Sequence, residues 1–157
     1  MSMSDPFDLQ RFVAAQERTI AEALAELAAG RKETHWMWYI FPQVRGLGFS
    51  DMSYRYGIAS IEEARAYHSH TVLGPRIEAA TRLLMKHAGK SPSDILGSPD
   101  DQKFRSCMTL FAEAAGAESV FAAALGRFFG GKGCGRTLDF LAARRPLPVQ
   151  RAQGTAK

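Results

Sequence analysis

The chain has 157 residues, 46% hydrophobic and 23% charged, the size and balance of one ordinary globular domain. That length buries enough apolar surface to fold without disulfides or a structural metal, and no apolar run reaches the roughly 20 residues of a membrane-spanning helix. The formal net charge is +4, but residues 1–131 hold 14 basic and 15 acidic side chains, so the excess belongs to Lys132, Arg136, Arg144, Arg145, Arg151 and Lys157. A neutral body with a basic end argues against a nucleic-acid-binding face, which needs cations clustered on the folded surface.

The 24 alanines favour helix, and the chain reads as a succession of helices. Asp5 or Asp8 can cap the first, which carries Leu9, Phe12, Val13, Gln16, Ile20, Leu24 and Leu27 at helical spacing and stops at Gly30. A second is predicted from Thr34 through Phe41, where Pro42 forbids continuation. Ser60-Ile61-Glu62-Glu63 has the form of a capping box opening a helix through Tyr67. Pro75 suits a first turn, with Ile77, Ala80, Leu83 and Leu84 carrying that helix to Gly89. Residues 91–97 make at most a short helix. Ser98-Pro99-Asp100-Asp101 supplies a cap, a proline and first-turn acids for a helix burying Phe104, Cys107 or Met108, and Phe111. Val120 to Phe129 forms another before Gly130, and Thr137 to Ala143 a last short one.

Met52, Tyr54, Tyr56 and Ile58 alternate as a strand would. No second run alternates convincingly, so this segment is read as an ordered extended loop or a poor helix. The expected fold is all-α: a compact single-domain bundle of about six to eight helices over residues 1–143, with an ordered glycine-rich loop after the second helix. Residues 144–157 form a basic tail with little to bury, expected to be disordered.

Cys107 and Cys134 are read as free thiols, Cys107 buried and Cys134 exposed among glycines without an adjacent histidine. Two thiols and a start lacking the basic and apolar regions of a signal peptide place the protein in the cytoplasm. Familiar catalytic patterns fail. Gly48-Phe49-Ser50-Asp51-Met52 lacks the closing glycine of a nucleophile elbow, Gly46-Leu47-Gly48 lacks a third glycine, and there is no P-loop. His68 and His70 find no Cys or acidic pair to complete a metal site, and read as a polar helix end. Neither a metal nor a cofactor is expected.

Residues 31–57 stand out. His35-Trp36-Met37-Trp38-Tyr39-Ile40-Phe41 packs four aromatics into seven positions. A helix that apolar is mostly core, the plainer account of Trp36, Tyr39, Ile40 and Phe41. The loop that follows adds Gln43, Arg45 and two glycines, and Arg55 sits between Tyr54 and Tyr56. Guanidinium groups beside aromatic rings suit a planar, anionic ligand. The candidate ligand-binding residues are therefore Trp36, Trp38, His35, Gln43, Arg45, Arg55 and Lys103, with Arg105 as a possible addition. Arg45 and Arg55 are expected to share one pocket floored by Trp36 or Trp38.

The block from His35 to Gln43, with Gly46-Leu47-Gly48, Tyr56-Gly57-Ile58 and Glu63-Ala64-Arg65-Ala66-Tyr67, resembles the signature of a mostly bacterial family known as domain of unknown function eighteen-ten. The likeness continues through Leu73-Gly74-Pro75-Arg76, Asp100-Asp101-Gln102-Lys103, Met108-Thr109-Leu110-Phe111 and Arg136-Thr137-Leu138, thus over roughly residues 7–141. It implies an all-helical domain and brings no activity, cofactor or catalytic residue. Members are often labelled calpastatin, but calpastatin works through long disordered repeats, and this chain has a dense aromatic block and no repeat.

Two functions fit. One is a small-molecule binding module or enzyme acting on an anionic, nucleotide-like ligand. The other is a protein–protein interaction module without catalytic activity. No general base beside a nucleophile can be named, so catalysis stays open. A concave pocket around Arg45 would favour the first, and a flat exposed apolar patch the second.

Overall fold

The computed structural model describes residues 4–144. These residues are 64% helical and contain no strand. In chain order the helices are α1 (Gln10–Glu17), α2 (Ile20–Ala29), α3 (Met37–Ile40), α4 (Asp51–Arg55), α5 (Ile61–Ser69), α6 (Leu73–Met85), α7 (Pro92–Leu96), α8 (Asp100–Ala115), α9 (Val120–Phe129) and α10 (Gly135–Arg144).

Helix α8 is the axis of the fold. Phe104, Ser106, Cys107, Met108, Thr109, Leu110 and Phe111 are all buried on it, and a helix covered on so many sides must be enclosed by others. Helices α5, α7, α9 and α10 pack around it, while α6 joins α5 to α9 and α2. Ring-on-ring contacts knit these layers: Phe12 meets Tyr67 at 5.0 Å, Tyr67 meets Phe111 at 5.2 Å, and Phe41 meets Phe104 at 5.1 Å. One polar element is fully buried among them. The Gln16 side-chain amide donates to the Tyr39 carbonyl at 2.7 Å and to the Tyr67 hydroxyl at 3.0 Å.

The all-α class agrees with the sequence, but the helix count exceeds the expected six to eight for identifiable reasons. The first predicted helix is broken after Glu17, where the Thr19 hydroxyl donates back to the Ala15 carbonyl at 3.1 Å. Leu9, not Asp5 or Asp8, occupies its cap position, and the Asp5 carboxylate accepts from the Leu9 and Gln10 amides at 2.8 and 3.0 Å. The helix predicted from Thr34 is a single turn beginning at Met37. Thr34 does not cap it, because its hydroxyl and amide are spent on the Glu26 carboxylate. The helix opened by Pro75 ends at Met85, short of Gly89. Ser98 does not cap α8; its hydroxyl donates to the Asp101 carboxylate at 2.9 Å, and Pro99 occupies the cap position.

The alternating segment resolves into two pieces. Ser50 caps α4 by accepting from the Ser53 amide at 3.0 Å. Ile58 then forms an isolated parallel bridge with Val44: its amide donates to the Gln43 carbonyl and its carbonyl accepts from the Arg45 amide, both at 2.9 Å. The predicted tail beyond Arg144 lies outside the described residues.

Candidate functional site

The loop between α3 and α4, residues 42–50, is held against the core at Val44, buried to 1% exposure, and at the bridge to Ile58. Gly48 lies so close to α4 that a Cβ there would sit 2.7 Å from the Ser53 Cβ. Across from this loop runs the exposed edge of α8, and beyond it the glycine-rich segment leading into α10. That segment is fixed by Thr109, whose hydroxyl accepts from the Cys134 amide at 2.8 Å while donating to the Arg105 carbonyl at 2.8 Å. A Cβ on Gly133 would meet the Thr109 side chain at 3.0 Å, so glycine allows the close approach.

Loop, helix edge and glycine-rich segment enclose an open cleft of about 820 Å³, within the range of ligand sites. Its floor includes Gln43, Ser53, Ser106 and Cys134, its apolar wall Leu47, Phe49 and Pro99, and its cations Lys103, Arg105 and Arg136. No carboxylate is found among the described residues that line it. Lys103 lies 3.6 Å from Asp100 behind the rim. Arg105 donates to the Lys132 carbonyl at 2.9 Å and stacks over Phe129.

The sequence-predicted site residues separate into three places. Gln43 and Lys103 line the cleft, and Trp38 adjoins it through a narrow crevice shared with both, its ring 6.0 Å from the Lys103 ammonium. Arg45 lines a neighbouring, shallower cleft of about 470 Å³ with Arg136, Asp139 and Arg144. It stacks over Tyr54, and its buried Nε has no hydrogen-bond partner. Arg55 stands apart, exposed at the end of α4 and over Tyr56. The expected common pocket for Arg45 and Arg55 is therefore not what forms, because α4 turns Arg55 away from the loop.

Trp36 is also withdrawn from any cleft: it is fully buried, its indole N–H donates to Glu26, and the Lys32 ammonium lies 5.0 Å from its ring. His35 is exposed on the turn ahead of α3. Neither expected arginine is paired with a carboxylate among the described residues. His68 and His70 serve other groups: His68 contacts Glu78 at 2.7 Å, and the His70 Nδ1 accepts from the Val72 and Leu73 amides.

Arg136 and Ser106 were not legible as site residues. The available signal was Gly133-Cys134-Gly135-Arg136 running into a helix, an arrangement that presents free amides to an anion. Its partner, the edge of α8, is brought opposite only by tertiary packing.

No helix of the described residues is long and apolar enough to cross a membrane. No curated protein matches the chain. Among solved structures, it is similar to the conserved hypothetical protein Rv1873 from Mycobacterium tuberculosis, with 51% identity and a TM-score of 0.86 over 88% of this chain and 99% of that one. The family model described as protein of unknown function, DUF1810, matches residues 6–141. The chain belongs to the DUF1810 family.

Proposed function

We propose that the protein binds a small anionic, nucleotide-like ligand in the cleft between the 42–50 loop, α8 and the start of α10. The supporting observation is that Lys103, Arg105 and Arg136 come to one concave surface with no facing carboxylate. Of the three, Lys103 alone has a carboxylate in ion-pairing reach among the described residues, Asp100 at 3.6 Å, and an anion in the cleft offsets the repulsion among them while using their hydrogen-bond donors. Leu47, Phe49 and Pro99 are the apolar lining available to a ring system, and Gln43 has an amide for its polar edge. Arg136 also borders the shallower cleft of Arg45 and Arg144, so a ligand with a second anionic group has room to extend there. The two free thiols fit a reducing compartment such as the cytoplasm.

The test is a thermal-shift screen of nucleotides and phosphate esters on the full chain. A ligand at a hundred times its dissociation constant adds about 2.7 kcal/mol of stability. Lys103→Ala and Arg136→Ala remove that gain, whereas Arg55→Ala keeps it. Absence of any shift with all anions overturns the reading.

The interaction-module alternative draws support from one feature, the exposure of Phe49 at 95% and Tyr54 at 65% on the same loop and helix. A second chain captured by this face would be lost on Phe49→Ser while anion binding persisted.

A further inference from the structure

Four arginines are partly buried among the described residues: Arg11, Arg45, Arg76 and Arg105. Arg11 is held by Glu63 and by backbone carbonyls, Arg76 by Gln16 and Glu17, and Arg105 by the Lys132 carbonyl. Arg45 alone of the four has neither a hydrogen-bond partner nor an ion pair among the described residues, although its Nε is buried. Taking a guanidinium partly out of water without a partner is unfavourable, and native proteins seldom keep such a group without a use for it. The residue is nevertheless firmly placed. Its amide donates to the Ile58 carbonyl at 2.9 Å, a Cβ on Gly57 would lie 2.7 Å from the Arg45 Cα, and the guanidinium lies over the Tyr54 ring at 4.6 Å. Bridge, glycine and ring hold the group in advance of any ligand, which lowers the entropy cost of binding one.

The cleft of about 470 Å³ that Arg45 lines adjoins the larger one, because Leu47 and Arg136 line both. Arg144 completes its cations, lying over the Phe140 ring at 3.6 Å. One acid, Asp139, lines this cleft and forms an ion pair with none of the three arginines among the described residues. Three guanidiniums against one carboxylate leave the second cleft positively charged as well.

We propose that the shallower cleft is a second anion subsite, so that the ligand carries an anionic group at each of two separated ends. Lys103 and Arg105 hold one group, Arg45 and Arg144 the other, with Arg136 and Leu47 between them. The proposal deepens the reading of the larger cleft and rests on it. A compound with all its charge at one end, such as a nucleoside diphosphate, leaves Arg45 unpartnered. One with a phosphate at each end satisfies both clefts at once, and its apolar middle passes over Leu47. Arg45 is then the residue that selects a doubly ended anion over a singly ended one.

The experiment is isothermal titration calorimetry of the full chain at fixed ionic strength. The probes are adenosine monophosphate, adenosine diphosphate, and a ladder of alkanediol bisphosphates from butane to octane, each paired with the alkyl monophosphate of the same length. The best bisphosphate of the ladder should bind about tenfold more tightly than its monophosphate, because the second phosphate engages without a second loss of translational freedom. Adding the second phosphate at the same end, from adenosine monophosphate to diphosphate, should gain clearly less. Arg45→Ala and Arg144→Ala should each remove most of the bisphosphate advantage and leave monophosphate binding in place, with circular dichroism confirming the fold. Arg144 is exposed, so its variant reads the subsite even where Arg45→Ala does not fold. An advantage that is absent across the ladder, matched by adenosine diphosphate, or retained in a folded Arg45→Ala or Arg144→Ala variant overturns the second subsite. If monophosphates still bind in that case, and lose binding in Lys103→Ala, the reading of the larger cleft stands without it. Failure of every phosphate to bind overturns both.

Discussion

The Glu26 carboxylate accepts the Trp36 indole N–H at 3.0 Å, so the most deeply buried tryptophan hangs from an acidic side chain on the preceding helix. The same carboxylate takes the Glu33 and Thr34 amides at 2.8 and 3.1 Å and the Thr34 hydroxyl at 2.7 Å. Four donors on one acid fix the whole turn between α2 and α3, and with it the direction in which the 42–50 loop departs.

This acid makes the fold sensitive to low pH. Burial pulls the Glu26 carboxyl up, but the four donors outweigh it and hold the group at about 2, against an ordinary 4.5. The folded value is the lower one, so the stabilisation is complete above about pH 4.5 and is lost as pH falls from there toward 2. After discounting for its partial exposure, the contribution is about 2 kcal/mol. Glu26→Ala should lose about that much at pH 7 in urea denaturation, and its stability should fall less steeply than that of the native chain below pH 4.5.

A second anchor joins the start of the chain to α5. Arg11 and Glu63 meet at 2.8 Å with side chains 10% and 4% exposed. The guanidinium also donates to the carbonyls of Phe7, Asp8, Arg55 and Gly57. Glu63 completes the pattern by accepting from the Ala59 amide. Removing either partner leaves a buried charge, and Arg11→Met or Glu63→Leu alone should cost about 3 kcal/mol. The double variant should recover part of that loss in a double-mutant cycle. Purely additive losses would assign the cost to packing instead.

The two tryptophans should be separable by spectroscopy. Trp38 is half-buried beside Lys103, whereas Trp36 is sealed in the core. Trp38→Phe should abolish any fluorescence response to an anion with little loss of stability. Trp36→Phe should keep the response but cost about 2 kcal/mol through the loss of one of the four donors to Glu26 and lost packing. A response carried by Trp36 would relocate the binding site.

Residues 145–157 have only Leu147 and Val149 as large apolar side chains, so little apolar surface goes with them when they are removed. Deleting them should leave the thermal midpoint within a few degrees, less than about 1 kcal/mol.

What was readable in the sequence was what neighbours in the chain decide. Gly30 and Gly130 end their helices with φ of 80° and 63°, as their positions indicated. Ser60 does cap α5 by accepting from the Glu63 amide. The capping box, however, is only half closed, because the Glu63 carboxylate turns to Ala59 and Arg11. Competition from distant groups explains the other departures: Thr34 has every local reason to cap a helix, and Glu26 takes its donors first. The site followed the same division. Gln43 and Lys103 were legible from composition, but Arg136 looked like part of a basic end until α8 brought it opposite the loop.

The two hydrogen bonds of the Val44–Ile58 bridge both involve Ile58. Residues 45–57 are thereby a ring closed at Ile58, with Phe49 and the exposed Gly46 at its outer edge. Chain inserted at that edge leaves the clasp untouched and falls on the wall of the cleft, where loop tips tolerate added length. Added length there would deepen or close the cleft while leaving Val44, Ile58 and the core beneath them as they are.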